Sequence, residues 1–249
     1  MDTMLILGDG GLGRAIEAAA LERRRDGVGS GDVRVVGRPT VGRHEPRDLA
    51  GEGVVVEASQ ADSVVPNLAS ALEAGRRCFI IATTGWGSDR PRVEALLLEY
   101  GASGVASSNF SLGAVLFGRL VDAAVGLFGA LEAFDPYLLE WHRRSKRDRP
   151  SGTAADLARR IAAAHPRLAT AGDLEVVSIR AGASPGMHLV GFDSAGETVE
   201  LRLTSRDRSA YAAGILAAAD WLGRVPRVPG LHPFEPIVDE LIARAAVAA

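Results

Sequence analysis

The sequence has few of the residues on which several protein classes depend. Its 249 residues include one cysteine, Cys78, which excludes an internal disulfide framework and a thiolate zinc cluster, and we expect no metal. Basic residues (28) nearly balance acidic ones (31), so no nucleic-acid or polybasic membrane partner is indicated. No apolar run reaches the ~18 residues that span a bilayer. Asp2 stands where a signal peptide carries basic residues, and we therefore expect a cytoplasmic protein.

A hydrophobic fraction of 47% is enough to build a core, and the first half of the chain arranges it regularly. Short apolar runs alternate with helical patterns, which is typical of a doubly wound parallel sheet covered on both faces. The five predicted strands lie at Leu5-Ile6-Leu7, Val33 to Val36, Val54-Val55-Val56, Phe79 to Ala82 and around Val105. The fold class predicted is α/β and Rossmann-like. Ser88-Asp89 is predicted to cap the helix that starts near Pro91.

The pattern changes from about Leu112. A long helix is predicted over Leu112 to Leu131, and strands then follow one another with few helices between them, which indicates a second α+β domain with an open mixed sheet. These strands are predicted at Tyr137 to Trp141, Glu175 to Arg180, His188 to Phe192 and Thr198 to Leu203. The segment Val225 to Pro236 is predicted to be a loop.

A glycine-rich turn directly follows the first predicted strand. Gly8-Asp9-Gly10-Gly11-Leu12-Gly13 matches G-x-G-x-x-G and opens a helix. Gly8 permits the tight turn, Gly10 lets the backbone approach a pyrophosphate, and Gly13 lets strand and helix pack closely. We expect these six residues to bind a dinucleotide; the alternative is a glycine turn without a ligand.

The second strand ends without the acidic residue that usually holds an adenosine ribose. Arg38 and Thr40 follow it instead and can reach a 2′-phosphate, which favours NADPH, although a solvated arginine explains the residue too. We therefore expect NADPH or NADH as cofactor. Ligands of open α/β sheets bind at the carboxyl ends of strands. The residues expected there are Ala82, Thr83, Thr84, Ser107, Ser108, Asn109 and Phe110.

The stretch from Glu140 to Ala154 holds five basic side chains and His142, followed by the Ser151-Gly152-Thr153 helix start. Such a start offers backbone N–H groups to a carboxylate or phosphate, and a nearby histidine can donate a proton near neutral pH. The segment predicts a site for a small acid, with a solvated basic loop as the alternative. His188, on a predicted strand, is a second histidine that can face this site.

At this point the chain resembles the 4-hydroxy-tetrahydrodipicolinate reductases, also called dihydrodipicolinate reductases, over nearly its whole length. The most specific motif is E-x-H-x-x-x-K-x-D-x-P-S-G-T-A, met from Glu140 to Ala154. The other shared motifs are Thr83-Thr84-Gly85, Asn109-Phe110-Ser111-Leu112-Gly113, the set Arg180, Gly182, Gly186 and His188, and in part Arg208, Tyr211, Ala212 and Gly214.

The resemblance implies hydride transfer from NADH or NADPH to a cyclic dicarboxylate, as in lysine and diaminopimelate biosynthesis. It implies that His142 is the acid/base group, that Lys146 is a second proton donor or charge partner, and that Gly152 and Thr153 hold a substrate carboxylate. It also implies a homotetramer joined through the C-terminal sheets. Residues 1–111 with 209–249 are predicted to form the dinucleotide-binding domain, and residues 112–208 the substrate-binding and oligomerisation domain.

The chain departs from the family pattern at several positions. Arg143 replaces a second histidine and is expected to bind a substrate carboxylate. Glu57-Ala58-Ser59-Gln60-Ala61 replaces D-F-T-x-P. Two alternatives therefore stay open: a related NAD(P)-dependent reductase or dehydrogenase of another small carboxylate or imine, and a cofactor-binding homologue without catalysis. The presence of both His142 and Lys146 argues against the second, since a binding module needs neither.

Overall fold

A computed structural model describes residues 3–27, 32–36, 49–224 and 226–248. The chain divides into two compact units, one formed by Met1–Ser111 with Tyr211–Ala249 and the other by Leu112–Ala210. Within the described ranges, no helix combines the length and the apolar character that crossing a membrane requires.

The first unit is a parallel sheet with helices, as the alternating pattern predicted. Its strands are β1 (Thr3–Leu7), β2 (Asp32–Val36), β3 (Val54–Glu57), β4 (Cys78–Ile81), β5 (Ser103–Ala106) and β10 (Gly230–Pro233). Its helices are α1 (Gly11–Arg25), α2 (Val64–Glu73), α3 (Arg90–Glu99), α6 (Ser209–Arg224) and α7 (Glu235–Ala248). All but the first two residues of α6 belong to this unit. The strand order is β10-β5-β4-β3-β1-β2, and each neighbouring pair is parallel.

The sheet order reverses at β1, because β2 lies on one side of this strand and β3 on the other. All four residues of β3 are buried, and so are the last four of β1. A parallel sheet covered on both faces buries the side chains of both, which explains why β1 and β3 show no alternation of polar and apolar residues. The turns after β1 and β3 therefore meet at the switch point, where ligands of this fold class bind.

The second unit is the mixed sheet that the consecutive strands predicted. Its strands are β6 (Asp135–His142), β7 (Glu175–Arg180), β8 (Met187–Asp193) and β9 (Thr198–Thr204), and its helices are α4 (Leu112–Phe128) and α5 (Gly152–Ala164). The order is β7-β6-β8-β9, with β6 and β7 parallel and the other two pairs antiparallel. Apolar residues of both helices and of the sheet form one core that includes Val121, Leu157 and Phe192.

Three local predictions were wrong. The segment from Val225 to Pro236, predicted as a loop, contains β10, which pairs with β5. This short strand begins with glycine and ends with proline, so its sequence shows no strand pattern. Helix α4 ends at Phe128, just before Gly129, rather than at Leu131. A 3₁₀ turn, Gly87–Asp89, leads into α3, and no side-chain hydrogen bond caps that helix among the described residues.

Candidate active site

The glycine turn joins β1 to α1 at a separation that side chains would prevent. Gly8 has φ +119°, and a Cβ there would lie 2.5 Å from the carbonyl oxygen of Ala58. A Cβ at Gly13 would lie 2.0 Å from the carbonyl oxygen of Gly8. Two glycines are therefore required by the packing of strand, helix and neighbouring turn, independently of any ligand.

A pocket opens at the switch point between β1 and β3. It is lined by Gly8, Asp9, Gly10, Ala58, Ser59, Gln60 and Ser63. Helix α1 begins beside it at Gly11, so the first N–H groups of the helix and its positive dipole end are available to an anion. A Cβ at Gly10 would meet no described atom within 4 Å, which leaves this backbone open to close approach. The pocket fits the pyrophosphate of a dinucleotide.

A buried carboxylate that no sequence motif indicated lies at the end of β3, directly before the residues that line the pocket. Glu57, at the end of β3, accepts hydrogen bonds from Ser59 N (2.9 Å), Asn67 Nδ2 (2.8 Å) and Thr83 Oγ1 (3.1 Å). Burial raises the pKa of Glu57, and these hydrogen bonds oppose the rise. The carboxylate thus ties the turn after β3 to Thr83 in the turn after β4, one of the residues expected to bind the cofactor.

The other residues expected at the cofactor site lie in the turns after β4 and β5. Ala82 is buried, whereas Thr84 and Ser108 are exposed. The Oγ of Ser107 accepts from Asn109 N at 3.1 Å, which closes a tight turn. The ring of Phe110 is buried and packs on Phe234 with centroids 4.9 Å apart. Asp9, Gly11 and Leu12 lie in the glycine turn and the first turn of α1, and Arg38 and Thr40 lie outside the described residues.

In the second unit, a buried cluster surrounds Glu140 and His142 near the end of β6. Because side chains alternate along a strand, residues 140 and 142 lie on the same face. The Nδ1 of His142 is 3.2 Å from Oε2 of Glu140, and the His142 and His188 ring centroids are 5.2 Å apart. The Nε2 of His188 lies 3.2 Å from Ser151 Oγ. The side chains of Arg180 and Glu140 are fully buried, with Nη2 of Arg180 2.6 Å from Oε1.

The surroundings of Glu140, His142 and His188 shift the pKa of each group and so determine its charge. Burial disfavours the ionised Glu140, but hydrogen bonds from Ser151, Ser178 and Arg180 outweigh it and lower the pKa to about 2. Burial lowers the pKa of His142, while attraction by Glu140 partly restores it. Burial, together with the charge of His142, lowers the pKa of His188 to about 4. Glu140 is therefore ionised and His188 neutral near pH 7, and His142 is the imidazole whose proton Glu140 directly supports.

The side chain of Ser151 caps the start of α5, next to the cluster. Ser151 Oγ accepts from Ala154 N at 3.2 Å, and Ser151 N donates to Glu140 Oε1 at 2.9 Å. Gly152 is exposed and Thr153 is partly exposed at the first turn of α5. The Ser151 cap thus fixes the direction of the N–H groups that are expected to meet a substrate carboxylate.

The basic loop compensates only part of its own charge. Lys146 Nζ lies 2.9 Å from Asp148 Oδ2, and a hydrogen bond from Lys146 lowers the pKa of Asp148. Arg143 is exposed, and its Nε donates to Ser145 Oγ at 3.1 Å. Ligand atoms of Glu140, His142 and His188 lie within 4.8 Å of one another, but the Arg180 guanidinium on the same carboxylate repels a cation, so we assign no metal there.

Comparison with known proteins identifies similar sequences and folds. A family model described as the C-terminus of dihydrodipicolinate reductase matches residues 113–234. The 4-hydroxy-tetrahydrodipicolinate reductase of Archaeoglobus fulgidus is 29% identical, over 86% of each chain. That of Methanoregula boonei is 32% identical, over 72% of this chain and 73% of the relative. The solved dipicolinate-bound dihydrodipicolinate reductase of Paenisporosarcina sp. TG-14 shares the fold, with TM-score 0.70 and 18% identity over 95% of this chain and 100% of that one.

The doubly wound sheet, its glycine turn and these relatives define the chain as an NAD(P)H-dependent oxidoreductase. At 32% identity over more than two thirds of its length and of its relative's, it belongs to the 4-hydroxy-tetrahydrodipicolinate reductase family.

Proposed function

We propose that the chain reduces 4-hydroxy-tetrahydrodipicolinate to tetrahydrodipicolinate with NADPH or NADH, a step of lysine and diaminopimelate biosynthesis. The observation that carries the proposal is the buried pair of Glu140 and His142 beside the N-terminus of α5, in a chain of this family. The pair supplies a supported proton, and the helix start supplies donors for a carboxylate.

The overall reaction requires such a proton. Replacing the 4-hydroxyl group by hydride expels the oxygen, which leaves as water only if one proton is taken up. The nicotinamide, when bound, supplies the hydride. His142 donates the proton at the substrate, since its Nδ1 lies 3.2 Å from the ionised Glu140, which favours the imidazolium, and Lys146 acts as a second donor or as a charge partner.

Charge and backbone donors position the substrate. The exposed guanidinium of Arg143 pairs with one carboxylate, and the backbone N–H groups and hydroxyl at Gly152 and Thr153 receive the other. The guanidinium of an arginine offers five N–H donors in a fixed planar fork that suits a carboxylate, so Arg143 contributes to binding rather than to proton transfer.

The cofactor is held by the glycine turn and by the turns after β4 and β5. The glycine turn contributes Gly8, Asp9, Gly10, Gly11, Leu12 and Gly13. The two later turns contribute Ala82, Thr83, Thr84, Ser107, Ser108, Asn109 and Phe110. Arg38, which reads the 2′-phosphate of NADPH in this proposal, stays a prediction from sequence. Residues 1–111 with 209–249 act as the dinucleotide-binding domain and residues 112–208 bind substrate.

We further propose that the chain assembles as a homotetramer through the second sheet. One face of this sheet leaves Trp141, Val177 and Ile179 exposed at 38%, 42% and 37%. Trp141 is the register partner of Ile179, so these apolar side chains form one patch across β6 and β7. A contiguous apolar patch of this kind is typical of an interface.

A second candidate function is reduction of a different small carboxylate or imine. Arg143 in place of the family's second histidine favours it, as does Glu57-Ala58-Ser59-Gln60-Ala61 in place of D-F-T-x-P. Both differences lie at residues placed here in or beside the two binding regions.

A coupled assay separates the two candidates. Substrate is generated freshly in the cuvette, and cofactor oxidation is followed with NADPH and NADH in turn. We expect substrate-dependent oxidation with both or with a preference for NADPH. Cofactor binding without any oxidation on addition of 4-hydroxy-tetrahydrodipicolinate would exclude the proposed reaction and leave the second candidate.

A further inference from the structure

We propose that Glu140 is a positioning residue, which holds His142 with Nδ1–H towards its Oε2 and thereby makes Nε2 the nitrogen that transfers the proton. The inference deepens the proposed function and rests on it, since it names the group that sets the tautomer and charge of the proton donor.

Glu140 is held rigidly through one oxygen only. Its Oε1 accepts from Ser151 N at 2.9 Å, Ser178 Oγ at 2.5 Å and Arg180 Nη2 at 2.6 Å. The carboxylate has no exposed surface. With Oε1 occupied by three donors, one at the start of α5 and two on β7, the orientation of Oε2 is fixed before any substrate binds.

The second oxygen faces the imidazoles. Oε2 lies 3.2 Å from Nδ1 of His142 and 3.9 Å from Nε2 of His188. His142 is therefore the nearer partner. Oε2 and Nδ1 are both buried and neither has a hydrogen-bond partner among the described residues, so it is the charge of Oε2 at 3.2 Å, rather than a formed hydrogen bond, that favours the proton on Nδ1. In the neutral ring, Nε2 is then the bare nitrogen. In the imidazolium, Nε2 carries the second proton, and this is the proton that is donated, which leaves the ring neutral with Nδ1 still protonated.

A glycine keeps space beside that nitrogen. A Cβ at Gly186 would lie 3.0 Å from Nε2 of His142 and 3.3 Å from Cδ2. Any side chain at this position would crowd the atom from which the proton must leave.

The charges that act on His142 come from every neighbouring segment. Glu140 on β6 and Asp148 in the following loop favour the imidazolium, whereas Lys146 in that loop and Arg180 on β7 disfavour it. His188 on β8 makes the ring contact. Among these, Glu140 is the group that directly faces Nδ1, so removal of its charge must lower the pKa of His142.

The tautomer is measured on the wild-type protein by ¹⁵N NMR of the histidine rings, without turnover. Above the pKa of His142, we expect a protonated Nδ1 and a bare Nε2. A neutral ring protonated on Nε2 would overturn the proposal, whether or not the proposed substrate is reduced. An absence of turnover with the expected tautomer would count against the proposed function alone.

The kinetic test is Glu140→Gln, whose amide preserves an acceptor for Ser151 and Arg180 but presents N–H groups to Nδ1. We expect the maximal rate to fall by ~10²-fold or more, as when the orienting carboxylate of a histidine is replaced by an amide. A general acid loses activity as pH rises through its pKa, so the descending limb of the pH–rate profile should move to lower pH by about one unit or more.

Two further variants distinguish positioning from a structural role. Glu140→Asp retains the charge and should keep the descending limb near the wild-type pH, even if its rate is lower. Glu197→Gln makes the same chemical change at an exposed position between β8 and β9 and should alter neither rate nor profile. A Glu140→Gln enzyme with the wild-type limb and the wild-type tautomer would refute the proposal. If Glu140→Gln does not fold, the wild-type tautomer decides.

Discussion

His142 shows how a single residue acquires its chemistry from neighbours far away in sequence. The sequence predicted it as proton donor from the adjacent Lys146 and the helix start. The structure adds His188, 46 positions along the chain, whose ring contacts that of His142, and Glu140, which lies on the same face of β6. The predicted strand ended at Trp141, whereas β6 continues through His142, and this extension places His142 on the face of Glu140. The closeness of His188 depends on the pairing of β6 with β8, which no local pattern in the sequence specifies.

Replacement of His142 tests its role directly. We expect His142→Gln to lower the maximal rate by ~10²–10⁴-fold, because a positioned acid contributes that much to proton transfer. The affinity for NADPH should stay close to wild type, since the cofactor residues lie elsewhere in the chain. Steady-state kinetics and a fluorescence titration with NADPH give the two quantities.

His232→Gln is the matched control. The His232 Nε2 lies 2.9 Å from the carbonyl oxygen of Val228, and the residue belongs to β10. This variant should turn over like the wild type. A wild-type maximal rate for His142→Gln would instead assign the proton to Lys146 or to solvent.

At the scale of elements, the glycine turn was readable because its chemistry is local. The motif from Gly8 to Gly13 requires a strand before it and a helix that begins within it. The structure has β1 ending at Leu7 and α1 beginning at Gly11. Strand β10 was not predicted because the interaction that forms it is not local. Its partner β5 lies more than a hundred residues earlier in the chain, and the sequence of β10 has no strand pattern of its own. In the sequence, Glu57 is only a departure from a family motif, because its hydrogen bonds with Asn67 and Thr83 form only once the sheet is folded.

Two glycines of the turn should behave differently when replaced by alanine. Gly13→Ala places a methyl group 2.0 Å from a backbone oxygen, so strand and helix must separate, and we expect a loss of stability of about 1–3 kcal/mol as well as weaker cofactor binding. Gly10→Ala has room in the structure and should fold normally. Its methyl group should nevertheless weaken NADPH binding by about tenfold or more, because it occupies the path of the phosphate.

Thermal unfolding and NADPH titration separate these effects. Gly126→Ala in α4, where a Cβ would meet no described atom within 4 Å, is the control and should weaken neither property. Cofactor affinity equal to wild type in Gly10→Ala would remove this turn from the phosphate site.

At the scale of the whole molecule, composition and alternation predicted two kinds of sheet, and the structure contains both. Assembly is not encoded in such patterns. The outward residues of β7 alternate with inward ones, which is also the pattern of a solvated sheet face. The folded structure is needed to show that Val177 and Ile179 are large apolar side chains exposed on that face.

The assembly prediction is tested by charge on that face. We expect Val177→Asp combined with Ile179→Asp to reduce the particle from four chains to smaller species, because carboxylates cannot be buried unpaired in an apolar interface. Light scattering coupled to size exclusion gives the mass. Leu127→Asp changes an apolar residue of α4 that is 71% exposed and should leave the mass unchanged. A double variant with the wild-type mass, or a monomeric wild type, would contradict assembly through this sheet.

In the proposed reaction, this chain delivers hydride from a nicotinamide to 4-hydroxy-tetrahydrodipicolinate. The most direct measurement uses NADPH that carries deuterium at both C4 positions of the nicotinamide ring, followed by mass spectrometry of the product. We predict tetrahydrodipicolinate that contains one deuterium derived from the cofactor. Unlabelled tetrahydrodipicolinate, or oxidation of the cofactor without formation of this product, would contradict the account.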